Sequence, residues 1–137
     1  MQSKRISPTF KIAQSAWLYY LIIFFIIEKV IQHIVVTAAF AFNWTDIASE
    51  VVVSPKVLMV AGAFIDVLFI AALGGMVKKQ TWAIYLTIAL ALFDFIGEFV
   101  AQGRVDIVIT VSIIAATFLL ILTLSLYRQL LLKPESS

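Results

Sequence analysis

Four apolar stretches follow one another with only short polar breaks between them, at about residues 13–42, 55–76, 81–101 and 105–132. A helix rises about 1.5 Å per residue, so roughly 20 residues cross the hydrocarbon core of a bilayer. Each stretch is at least that long. Hydrophobic residues make up 63% of the 137-residue chain and charged residues only 13%. Such a surface cannot be coated for water. The sequence therefore predicts an all-α, integral membrane four-helix bundle, a single multi-pass domain placed in the cell (plasma) membrane with the lipid bilayer as its solvent. The first stretch is read as a retained span, because its basic leader lacks a short apolar core with a small-residue cleavage site.

Punctuation and charge set boundaries and orientation. Ser54 before Pro55 reads as a helix start, and Gly74–Gly75 as a stop. Lys4, Arg5 and Lys11 precede the first span, Lys78 and Lys79 lie between the second and third, and Arg128 and Lys133 follow the fourth. The other two loops carry only Lys56 and Arg104. By the positive-inside rule both termini face the cytoplasm. Trp17, Tyr19, Tyr20, Trp82, Tyr85 and Tyr127 suit an inner aromatic belt, and Trp44 an outer one. The connector 43–54, with Asp46 and Glu50 beside Trp44, Ile47 and Val51, has the spacing of a short surface helix.

Within these apolar runs lie ionisable groups, each of which needs a partner, a proton or water at such depth. The first span reads LIIFFIIEKVIQHI and carries Glu28, Lys29, Gln32 and His33. The second carries Asp66, and the third Asp94 and Glu98. Glu28/Gln32 and Lys29/His33 are each four apart, which makes a broad polar arc on one helix. Helical rise places the four carboxylates in one layer, between the midplane and the outer surface. Gly62 near Asp66, and Gly97 beside Glu98, would let helices approach closely there. In the fourth span only the hydroxyls of Thr110, Ser112, Thr117, Thr123 and Ser125 sit at depth.

Four carboxylates facing one lysine and one optional histidine proton exceed what a low-dielectric site holds. Protonated acids, a bound cation or entering water would each relieve the excess. A polar staple joining three helices is the structural alternative. The candidate ligand- or proton-binding residues are Glu28, Lys29, Gln32, His33, Asp66, Asp94 and Glu98.

Several classes are excluded or disfavoured. With no cysteine there is no disulfide or thiolate chemistry. One histidine cannot supply a bis-histidine haem, and Glu28 and His33 do not have the Glu-x-x-His spacing of a helical di-iron site. No hydrolase, phosphate-loop or dinucleotide motif occurs. No catalytic residue, metal site or cofactor is assigned, and a net charge of +2 gives no reason to expect nucleic acid.

FFIIEKVI, with Lys29, and GAFIDVLFIAALGGMVKK, with Gly62, Asp66, Gly74 and Lys78, resemble the DoxX-like family of small four-span membrane proteins. Glu28 stands where that pattern usually has small residues, and Asp66 where it has glutamate. The resemblance implies an accessory subunit of a membrane, quinone-linked oxidoreductase. The residues themselves point first to an outward-facing acidic pocket for a small cation, a proton or a small basic ligand, with transport as its use. The expected partners are a second copy of the chain or a membrane complex.

Overall fold

The computed structural model describes residues 9–11, 16–42, 52–102 and 110–132. Four helices account for nearly all of them: α1 (Ala16–Phe42), α2 (Pro55–Val77), α3 (Thr81–Gln102) and α4 (Val111–Leu132). All four are long and apolar enough to cross a membrane. The surface connector expected at 43–54, the outer-belt Trp44 and the residues leading into α4 lie almost entirely outside the described residues.

The helices form a ring. α1 and α3 each pack against α2 and α4. Buried positions recur at helical spacing: Leu18, Ile22 and Ile26 on α1, Phe69, Ala72 and Met76 on α2, Ala83, Thr87 and Ala91 on α3, and Ala116, Leu119, Thr123 and Leu126 on α4. The opposite faces are as apolar as the core, with Phe24, Phe64, Val67, Phe93 and Phe118 exposed. Several hydroxyls are tied back to their own helices. Thr87, Thr117, Thr123 and Ser125 each donate to the carbonyl four residues earlier, at 2.6–2.8 Å. A hydroxyl satisfied by its own helix needs no water.

The helix ends refine the expected punctuation. Ser54 holds the cap position of α2 and its carbonyl accepts from Leu58 N at 3.1 Å, but its side chain makes no capping bond. Thr110 does cap α4, its Oγ1 accepting from Ile113 N at 3.2 Å. Gly74–Gly75 does not stop α2, which continues to Val77. Gly75 instead admits α3: a Cβ there would lie 2.7 Å from Ala83 Cβ and from the Trp82 ring. The stop comes at Lys79, in the left-handed region at φ 55°. There Gln80 N donates to Gly75 O at 2.8 Å and Lys79 N to Met76 O at 2.9 Å, the paired bonds of a Schellman cap.

The same end is sealed by the start of the chain. Phe10 N donates to Lys79 O at 2.9 Å, Thr9 bridges Gln80, and Tyr19 Oη donates to Met76 O at 2.9 Å. Exposed Lys11, Lys78 and Lys79 therefore share one end of the bundle. At the other end Val52 N donates to Ala101 O at 3.1 Å, joining the entry to α2 with the exit of α3.

Candidate functional site

The polar groups meet at one level, about 13 residues or roughly 20 Å along α1 and α3 from their starts. Lys29, fully buried, is the centre. Its Nζ donates to Gln32 Oε1 at 3.0 Å, to the Ser112 carbonyl at 2.9 Å and to Ser112 Oγ at 3.0 Å. That is an acceptor for each of the three ammonium hydrogens. Its charge is met by Asp94, whose Oδ2 lies 2.6 Å away across the diagonal of the bundle.

Asp94 has a second partner. Its Oδ1 lies 3.0 Å from His33 Nε2. His33 is one helical turn beyond Lys29, and its ring stacks on Phe69 of α2 with centroids 5.4 Å apart. All four helices therefore contribute: α1 with Lys29, Gln32 and His33, α2 with the Phe69 ring, α3 with Asp94 and α4 with Ser112. The contact with Asp94 assigns the imidazole tautomer. Nε2 carries the hydrogen and donates to the carboxylate, which leaves Nδ1 as the basic nitrogen.

The structure separates groups that the charge count placed in one pocket. Among the described residues, only Asp94 forms an ion pair with Lys29. Asp66, half-buried on α2, is within electrostatic reach of His33, and one of its oxygens, Oδ1, is shielded without a hydrogen-bond partner among the described residues. Glu28 is set off from Lys29 by the 100° step of the helix. It lies in a groove on the outer face of α1 with Phe24, Ile27 and Ile31, and its Oε2 is likewise shielded and unbonded among the described residues. Glu98 is half-buried one turn beyond Asp94 on α3.

Of the small residues expected to bring helices together, Gly62 does so, since a Cβ there would meet Thr37 Oγ1 at 2.9 Å. Gly97 does not, with nothing described within 4 Å. Ser112 is the participant missed in the sequence. Its hydroxyl was visible as one of several in the fourth span. The only signal that could have singled it out is that the other hydroxyls are spent on their own helices, and that required the fold. Among the described residues no three acidic or histidine side chains converge as a metal would need.

The chain matches no protein-family model, and no curated protein or solved structure is detectably similar to it. The resemblance to DoxX-like proteins thus continues to rest on the residues quoted for it.

Proposed function

We propose that the chain is a multi-pass membrane protein, termini in the cytoplasm, whose buried Lys29–Asp94–His33 cluster takes up and releases a proton in the course of transport. The observation that carries this reading is the 3.0 Å contact between His33 Nε2 and Asp94 Oδ1, made to a carboxylate whose other oxygen is already matched by Lys29 at 2.6 Å.

The chemistry follows from that arrangement. With Lys29 charged and Asp94 ionised, the pair is neutral and His33 is free to change charge. Histidine is the side chain suited to do so near physiological pH. An incoming proton binds Nδ1 while Nε2–H stays on Asp94, and the cluster passes from net zero to net +1. Asp66 lies on the adjoining helix to offset that charge. Among the small cations, a proton fits best because the Lys29 ammonium already fills the cation position beside Asp94. Lys29 itself serves the bundle: its acceptors come from α1, α3 and α4, and no face of it is open.

His33 is the chain's only histidine, so a histidine-selective isotope label reports on this site alone. In bilayer nanodiscs the ring-nitrogen shifts should show Nε2 protonated and hydrogen-bonded to a carboxylate, and Asp94→Asn should change them. In proteoliposomes carrying an internal pH dye, His33→Gln should reduce proton flux at least tenfold. Ring-nitrogen shifts unchanged by Asp94→Asn, or wild-type flux in His33→Gln, would overturn the proposal.

A further inference from the structure

We infer that the end of the bundle carrying the α2–α3 turn binds the headgroup of an anionic phospholipid, with Lys78, Lys79 and Lys11 as its positive charges. Three separate features meet there. The first is how the charges are assembled. Thr9 bridges Gln80 in antiparallel sense, and Phe10 N donates to Lys79 O at 2.9 Å. Phe10 is buried, its ring edge-on to Tyr19 with centroids 6.1 Å apart. The start of the chain is thereby anchored so that exposed Lys11 stands beside the exposed pair Lys78 and Lys79. The second feature is segregation. The described carboxylates, Glu28, Asp66, Asp94 and Glu98, all lie about 11 residues or more from this end of their helices, roughly 16 Å. Arg128, also exposed, adds a further charge of the same sign near the close of α4. The third feature is the backbone. Lys79 holds φ 55°, a conformation in which glycine is unstrained and lysine is not. Strain of this kind gathers where a side chain has a use.

The same geometry selects the ligand class. The amides of Lys78, Lys79 and Gln80 are spent on Gly74 O, Met76 O and Gly75 O, at 3.2, 2.9 and 2.8 Å. They are therefore not available to enclose a free phosphate, and exposed lysines in water hold a mobile anion weakly. A phospholipid arrives with its phosphate already kept at the surface by its tails. Val77, 59% exposed, and Trp82, 49% exposed, border the lysine pair in the chain and offer those tails apolar surface at headgroup level. Lysine ammonium groups act as point charges, so the site reads charge and not headgroup shape. A headgroup held by Lys11 and the turn together also ties the start of the chain to the end of α2. The site rests on the membrane reading, but neither on the orientation of the chain nor on proton exchange at His33.

The test is electron paramagnetic resonance of spin-labelled phosphatidylglycerol and phosphatidylcholine in phosphatidylcholine bilayers containing the full chain. Wild type should immobilise the phosphatidylglycerol label about tenfold more readily than the phosphatidylcholine label, and high salt should erase most of the difference. Removing one lysine should lower that preference about fivefold. Lys79→Gly is the sharpest variant, because it deletes the charge while relieving the backbone, so lost selectivity cannot be lost folding. Lys78→Gln should act in the same direction. Lys56→Gln, exposed at the opposite end of α2, should change nothing. Labelled phosphatidylserine should match phosphatidylglycerol, and glycerol phosphate in the buffer should displace neither. Any of four results overturns the proposal: equal association of the two labels with wild type, undiminished selectivity in Lys79→Gly or Lys78→Gln, a loss in Lys56→Gln as large as in Lys79→Gly, or displacement by glycerol phosphate, which would make this a site for soluble phosphate. Selectivity should be the same in His33→Gln, whatever that variant does to proton flux, which keeps the two readings apart.

Discussion

The two levels of the bundle solve the same problem in opposite ways. At the α2–α3 turn the polar groups are tied backbone to backbone or to a single hydroxyl. The Schellman pair closes α2, Phe10 N is taken by Lys79 O, and Tyr19 Oη by Met76 O. Leu18, Ile22, Met76 and Ile84 fill the space between with no charge among them. At the Lys29 level the contacts are made by charged side chains from separate helices. There Glu28 and Asp66 each keep one oxygen without a hydrogen bond among the described residues. The first level is arranged for closure. The second retains unspent acceptor capacity, which is the condition for binding anything at that depth.

The comparison breaks most readily at Lys29. Lys29→Met keeps much of the volume but leaves Asp94 buried without its counter-charge. It should lower stability by about 3–5 kcal/mol. The double variant Lys29→Met/Asp94→Leu should regain most of that loss. Thermal unfolding in nanodiscs would measure both. A single variant as stable as wild type would mean that the ion pair is not what joins α1 to α3.

A smaller effect separates the levels by glycine. Gly75→Ala forces a Cβ to within 2.7 Å of Ala83 and the Trp82 ring. That should cost about 1–3 kcal/mol. Gly97→Ala meets nothing described within 4 Å. It should gain about 0.5–1 kcal/mol from helix propensity alone. Equal melting shifts in the two variants would remove the claim that the turn end is the more tightly packed.

The smallest effect concerns Lys79, which holds φ 55° at the end of α2. Lys79→Gly should stabilise by about 1 kcal/mol, because glycine takes this conformation without steric penalty. A melting temperature at or below that of wild type would show that the Lys79 side chain contributes more than its backbone strain costs.

The extent of the helices was legible because a bilayer crossing demands length and apolarity and little else. Residues 55–76 and 81–101 were read nearly to the turn. Which way each helix faces was not. In a soluble helix the polar side marks the outside, whereas α1 is apolar on both sides and gives no such stripe. Glu28 and Lys29, adjacent in sequence, consequently turned out to face different surroundings. His33 and Asp94 were marked as candidates by their chemistry, but their pairing across the diagonal depended on rotations the pattern does not encode. Gly74–Gly75 looked like a stop because glycine often ends helices, and the close approach of α3 is the competing use that won at Gly75.

The two bonds from Lys29 to Ser112 span 83 residues of chain. A newly made α1 carries its lysine long before α3 and α4 exist to receive it. In that interval Gln32, three residues away, is the one acceptor from this set already at hand. Assembly therefore has a built-in order: α1 and α2 can pair early, the lysine charge is neutralised only when α3 brings Asp94, and its remaining hydrogens find acceptors only when α4 docks. A chain ending before α4 would keep the Lys29–Asp94 pair but leave the lysine ammonium without its two Ser112 acceptors.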